Sequence, residues 1–353
     1  MRFRLLLVPS LLLSGLAASE IGAATGVIGI TRASFAQSIS HERTARTLRG
    51  RRTEPARWEN VMPEVPVAVG EVSCAVVDSI MYLVGEGTPA TLRFHLDTRQ
   101  WLSPAAQRPF VGDHHAAEVI DGQIYLVGGF QGGAEGRLQR YDPPTNSWTQ
   151  LAPLSWGGGS LATAVIGGKL YAAGGIVNTW TVNNTAVYDP ATDVWTALAP
   201  MPQGRNHPAF GTDGAKLWIF GGRVGGNWVA NGFANVQVYD PATDTWEDSD
   251  APGSSLAPLH YGRGGMGHAV YRAGEFFVIG GETQTGLGAE PGNVYRRVDV
   301  YSPATNTWRS AAPMPTPRHG IDPFLYGPRI YVPAGGKQAG YAVSRVFEAL
   351  YFP

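Results

Sequence analysis

Arginine and histidine recur together at four points: Arg108 ahead of Asp113, His114 and His115, Arg205 ahead of His207, Arg263 ahead of His268, and Arg318 beside His319. A guanidinium pairs bidentately with carboxylates and sulfates, so a ring of such residues would suit a carboxylate, a sulfate or an acidic peptide. Trp180 and Trp228 stand among polar residues and glycines, where an indole offers a flat face to a sugar or a peptide. Arg223, Trp156, Tyr261, Lys337 and Tyr341 lie in neighbouring stretches. Glu282 directly follows a glycine pair and replaces nothing in the surrounding pattern, which makes it the candidate general acid or base. The histidines show no HxH or HxxxH spacing, and the adjacent His114 and His115 would face opposite ways on a strand. No metal ligand set and no cofactor is therefore expected. Phosphate loops, dinucleotide glycine motifs and serine nucleophile elbows are absent from the sequence.

These residues are positioned by a repeat. One octet recurs as YDPPTNSW (Tyr141–Trp148), YDPATDVW (Tyr188–Trp195), YDPATDTW (Tyr239–Trp246) and YSPATNTW (Tyr301–Trp308), with a weaker copy ending at Trp101. Upstream of each octet an apolar run ends in two glycines, at Gly128, Gly174, Gly221 and Gly280. A fifth pair begins at Gly335, and the first copy is degraded to YLVGEG with Glu86 in the second glycine position. Short continuous apolar runs fit strands buried on both faces. The glycine pair permits positive φ or close backbone approach, and the Asp-Pro step with the following Thr and Asp makes a turn. Each Trp then opens a strand and presents a large apolar face for packing.

Double glycine, then tyrosine, then tryptophan at these spacings resembles the Kelch repeat, and the resemblance covers about Trp58 to Pro353. It implies an all-β, six-bladed Kelch-type β-propeller with one four-stranded sheet per repeat. The chain starts mid-repeat, with Trp58 and no glycine strand before it, and stops after Val346–Pro353 where a Trp strand is due. The N-terminal strand is thus expected to complete the last blade, which would close the ring and hide the sheet edges. The innermost strands are expected to start near Val72, His115, Leu161, Pro208, His268 and Gly320. The post-glycine and inter-blade loops should emerge at one end of the channel. They are longest in blades four and five, at Arg223–Phe233, Asp250–Gly267 and Glu282–Asn293. In Kelch repeats generally, Arg and His at this turn also hold neighbouring blades together.

Composition bounds the rest. The 353 residues include 46 Gly and 26 Pro, a profile that disfavours helices, and the net charge of -1 gives no pull toward nucleic acid or anionic membrane. The single cysteine, Cys74, excludes an intramolecular disulfide and a thiolate zinc cluster. Arg2 and Arg4, the apolar run Leu5–Leu16 and the small residues up to Ala24 read as a signal peptide over 1–24, too short for a stable membrane span. Residues 25–55 read as a flexible leader and 56–353 as the propeller. The expected protein is secreted or periplasmic and binds a protein segment, a glycan or an acidic small molecule. Ligand-binding candidates are Arg205, His207, Arg223, Trp228, Arg263, His268, Arg318, His319 and Trp180. The alternative reading is an enzyme acting on an acidic sugar. Its basis is the resemblance to periplasmic sialic-acid mutarotases, six-bladed Kelch proteins with signal peptides. That resemblance implies that Glu282 moves a proton while Arg205, Arg263 or Arg318 holds the carboxylate.

Overall fold

A computed structural model describes residues 55–59, 62–133, 136–225 and 232–353. The signal and leader segments, apart from Pro55, lie outside the described residues, as does Trp228. Among the described residues the regular elements are all strands, and no helix is long and apolar enough to cross a membrane.

Six four-stranded antiparallel sheets follow one another along the chain. Blade one comprises Gly70–Val77, Ile80–Glu86, Thr88–His95 and Gln100–Leu102. Blade two comprises Ala116–Ile120, Gln123–Val127, Leu138–Asp142 and Ser147–Leu151. Blade three uses Ala162–Ile166, Lys169–Ala173, Thr185–Asp189 and Val194–Ala197, and blade four uses Ala209–Thr212, Leu217–Phe220, Val236–Asp240 and Thr245–Asp248. Blade five is Val270–Arg272, Glu275–Ile279, Val298–Ser302 and Thr307–Ser310. Blade six takes Phe324–Tyr326, Arg329–Pro333 and Phe347–Tyr351 from the C-terminus, and its outer strand is Arg57–Glu59. Trp58 pairs with Leu350 there. The innermost strands start within a few residues of the expected positions.

The burial pattern follows from the sequence. Second strands are mostly buried, and Leu217–Phe220 at every position, because neighbouring blades cover both faces. Outer strands such as Val194–Ala197 are mostly exposed. The core therefore lies between blades, in clusters that draw on successive sheets, as where Leu170 and Tyr188 of blade three meet Ile219 and Tyr239 of blade four.

The octet proves to be an inter-blade staple as well as a turn. Each tyrosine faces its tryptophan across the third and fourth strands, as Tyr188 does Trp195 and Tyr301 does Trp308. The indole Nε1 then donates to a carbonyl of the preceding blade's exit. Trp148 donates to Ala106 O (2.8 Å), Trp195 to Ala152 O (2.9 Å), Trp246 to Ala199 O (2.9 Å) and Trp308 to Ala257 O (2.8 Å). Trp58 obeys the same rule, donating to Ala312 O at 2.8 Å. The octet's Asp or Asn accepts both the tyrosine hydroxyl and a backbone N–H from the blade before, as Asp193 does from Tyr188 (2.7 Å) and Ala152 (2.9 Å).

Candidate functional site

The four arginines form a ring, but an interior one. Arg108, Arg205, Arg263 and Arg318 are buried to 2% exposure or less, so a ligand in the channel does not meet them. Their guanidiniums brace the blades from inside. Arg205 donates to Gly221 O (2.9 Å) and Asn235 O (3.2 Å). Arg263 donates to Gly280 O and to Asp299, each at 2.8 Å, and Arg318 to Val332 O (3.2 Å) and Glu348 (2.8 Å). Asp299 and Glu348 offset the burial of Arg263 and Arg318, while Arg108 and Arg205 hydrogen-bond to backbone carbonyls alone and burial lowers their pKa values to about 10. This leaves none of the three aimed at a substrate carboxylate in the channel.

What does face the channel is set two residues after Arg205, Arg263 and Arg318 and six after Arg108. The residue that enters each innermost strand is left-handed in every blade: Glu71 (φ 41°), His114 (56°), Ser160 (55°), His207 (51°), Gly265 (66°) and Gly320 (56°). Backbone bonds link these residues around the channel, from Ser160 N to His114 O (2.9 Å) and from His207 N to Ser160 O (2.9 Å). Gly320 N likewise donates to Gly265 O at 2.8 Å. In blade five the missing side chain makes room for another: a Cβ on Gly265 would lie 2.9 Å from Glu282 Cγ. The residue after the glycine pair bridges to this entry segment, Arg223 to Asn206 in blade four and Glu282 to Gly264 in blade five. The two side chains thereby meet, and Arg223 Nη1 donates to Glu282 Oε1. Glu282 Oε2 accepts from Gly340 N at 2.7 Å.

His319 ties the two sides of the mouth together. Its Nε2 donates to Gln338 O (2.8 Å), and its Nδ1 lies 3.4 Å from Glu71 Oε1 and 3.5 Å from Glu282 Oε2. Burial works against the His319 imidazolium, but the two carboxylates outweigh it and raise its pKa. Burial likewise pushes the Glu71 carboxyl up, yet His114, His319 and His207 hold it well below the usual carboxylate range. For His114 the same opposition, burial against Glu71 and Asp113, ends in a raised pKa. His207 goes the other way, well below an ordinary imidazole, through burial and the charge of Arg223.

Above this cluster opens a cavity of about 270 Å³, lined by Glu71, Glu86, His114, Arg223, Glu282, Gln284, Gly340 and Tyr341. The Tyr341 ring is 75% exposed. Of the residues singled out in the sequence, His114, Arg223, Glu282, Tyr341, His207 and His319 converge at or beneath this mouth. Trp180 is 76% exposed on the short hairpin Ile176–Val177 and Trp180–Thr181, outside the cavity lining. His268 lies farther along the channel, with Nδ1 2.6 Å from Asp322 Oδ1 and Nε2 3.3 Å from Glu118 Oε1. Glu71 was not among the candidates and Glu86 was noted only as a replaced glycine, because both sit in the degraded first copy. For Glu71 the signal was its alignment with the left-handed entry positions of the other blades.

The comparisons with known proteins agree with this architecture. Residues 113–155, 159–202, 204–249 and 267–315, more than half of the chain, match the family described as Kelch motif. Kelch-like protein terF of Aspergillus terreus is 31% identical over 276 residues, 74% of this chain and 57% of that protein. N-acetylneuraminate epimerases of Shigella sonnei and Escherichia coli K12 are 33% identical over 128 and 130 residues, 33% of this chain and 34% of each enzyme. This chain thus spans just over half of the fungal relative's length and about a third of the epimerases'. The solved structure of YjhT superposes with a TM-score of 0.69 at 18% identity, covering 81% of this chain and 96% of that one, a likeness of fold. The matched segments are the ones that carry the recurring Tyr–Asx and Trp–carbonyl staples, and the chain belongs to the Kelch-repeat family of β-propellers.

Proposed function

We propose that this chain is an exported propeller that binds a small sugar in the cavity at its channel mouth. The observation that carries the proposal is the convergence of Arg223, Glu282, Glu71 and His114 from four blades onto one polar cavity of about 270 Å³. That volume lies just below the usual range of ligand pockets, about 300–1,000 Å³, and so suits a small ligand. Three carboxylates there can accept from sugar hydroxyls, and charge-assisted bonds of this kind are the strong ones. Arg223 is the cation within reach of a sugar acid's carboxylate, and the exposed Tyr341 ring offers a stacking face. The basic and apolar N-terminus supports export.

A second reading makes the site catalytic, favoured by the buried Glu282 carboxylate between Arg223 and His319 and by the similarity to N-acetylneuraminate epimerases. Interconverting the anomers of a sugar requires one proton to leave the anomeric hydroxyl and another to reach the ring oxygen. In this reading Glu282 moves such a proton while Arg223 holds the sugar's carboxylate.

One experiment separates the readings. N-acetylneuraminate is titrated into the protein by calorimetry, and its anomer equilibration is followed by proton NMR. The binding reading expects saturable binding that Tyr341→Ala weakens about tenfold, a loss of roughly 1.4 kcal/mol. The catalytic reading adds faster equilibration, abolished in Glu282→Gln under conditions where circular dichroism shows that variant folded. Binding without acceleration removes the catalytic reading; no binding by this or any arrayed glycan removes both.

A further inference from the structure

Beyond the sugar site, we infer that Glu71, His114 and His207 form a binding site for one first-row divalent transition-metal ion, of the class of Zn2+, at the floor of the channel mouth. One ligand atom from each of the three lies within 4.8 Å of the others, and Glu71 Oε2 is 3.6 Å from His114 Nε2. Metal–ligand bonds of about 2.0–2.2 Å place neighbouring ligand atoms roughly 3.0–3.5 Å apart, so the cluster closes onto an ion through side-chain adjustment alone. Two imidazoles with one carboxylate favour Zn2+, Fe2+ or Co2+ over Mg2+ and Ca2+, which prefer oxygen ligands.

The surrounding bonds are those a metal site needs. His114 Nδ1 lies 2.5 Å from Asp113 Oδ1, and His207 Nδ1 lies 2.6 Å from Asn206 Oδ1. Each oxygen takes the Nδ1 proton and leaves the Nε2 lone pair directed at the channel. Glu71 is held through its other oxygen by His319, which leaves Oε2 toward His114. Every ligand therefore has an orienting partner, the arrangement that fixes tautomer and direction at metal sites. Ser160 Oγ lies 3.0 Å from His207 Nε2, and rotation about a single χ1 frees that nitrogen. Glu71 and His114 also line the cavity above, so open coordination positions would face it.

Backbone conformation supplies the substitution that tests the site. All three ligands occupy left-handed positions, where blades five and six use glycine. A non-glycine residue in this conformation carries backbone strain, which Ser160 shares at the same position in blade three. A glycine at these positions suits the backbone, so it deletes the ligand without breaking the fold.

The test uses the full, untagged chain stripped with chelator, probed with Zn2+ and Mg2+ by equilibrium dialysis. The expected result is one Zn2+ per chain, no competition from Mg2+, and loss of that equivalent in Glu71→Gly, His114→Gly and His207→Gly. Asp113→Ala should weaken Zn2+ binding about 10- to 100-fold, and the exposed His260→Ala should leave it unchanged. On the wild-type chain, imidazole 15N spectra should show two Nε2 resonances shifting with Zn2+ while the matching Nδ1 atoms stay protonated. No bound Zn2+, binding undiminished in the glycine variants, or unmoved Nε2 resonances would overturn the inference. These readouts are independent of sugar binding, so either proposal can fail alone.

Discussion

Substituting Trp58 by alanine tests whether residues 57–59 are an integral strand of blade six. Trp58 is half-buried, pairs with Leu350, packs in the cluster containing Ile330 and Val332, and donates its Nε1–H to Ala312 O. Truncating a fully buried tryptophan costs about 3–5 kcal/mol. Half of that, about 2 kcal/mol, plus about 1 kcal/mol for the lost hydrogen bond, gives roughly 3 kcal/mol. At about 2–4 °C per kcal/mol for a large domain, the melting temperature should fall by roughly 6–12 °C. Trp308→Ala is the internal standard, because Trp308 makes the same bond at the same 2.8 Å to Ala257 O within continuous chain. Urea titration and thermal melting of both variants should give similar losses. Surface substitutions stay within about 0.5 kcal/mol. If Trp58→Ala melts with the wild type while Trp308→Ala does not, the pairing of Arg57–Glu59 with Phe347–Tyr351 contributes nothing and the reasoning fails.

The buried arginines should act on stability. Arg318→Ala strands Glu348 without its partner and should cost about 3–5 kcal/mol in urea unfolding, with sugar affinity unchanged in whatever fraction stays folded; weaker sugar binding at full stability would contradict the bracing role. The octet's Asn306 accepts from the Tyr301 hydroxyl (2.7 Å) and from Ala257 N (2.8 Å), so Asn306→Ala should lose roughly 2 kcal/mol by the same assay. A loss under about 0.5 kcal/mol would show that these bonds staple nothing. His268 sits between Asp322 and Glu118, with Cys74 N also donating to Asp322 and Thr163 to Glu118. Burial lowers the His268 pKa, but the two carboxylates outweigh it and raise it well above an ordinary imidazole. A raised folded pKa gives stability that is full below the unfolded value of about 6.5 and lost as pH rises through the folded one. Wild-type stability should therefore fall more steeply above neutral pH than that of His268→Gln. Equal slopes in urea titrations across that range would refute the assignment.

The fold was legible because a repeat multiplies its own signal. Gly280 and Gly281 end a buried apolar strand, and a Cβ on Gly281 would lie 2.9 Å from Gly264 O, a collision the sequence reports as an obligatory glycine. The surplus Trp58 and the missing last strand likewise point to each other. The site was legible only in part. Arg205, Arg263 and Arg318 have the right residue type and period for an anion-binding ring, yet nothing in the sequence states whether a guanidinium points into the channel or between sheets. The answer came from Asp299, Glu348 and the second-strand carbonyls, which wait for those charges inside the blades. Glu282 was visible because it interrupts the repeat directly after a glycine pair. Glu71 was hidden because its copy lacks the landmark glycine, and the meeting of Glu71, His114 and His207 depends on three blades converging on one axis.

The proposed sugar site is the channel mouth, where Arg223 and Glu282 meet. It is tested most directly by a crystal structure of the chain soaked with N-acetylneuraminate. Sugar density is expected in the cavity between Arg223, Glu282 and Tyr341, with hydroxyls against the carboxylates. Density on an outer blade face or in the cavity beside His268, with the mouth empty, would contradict it.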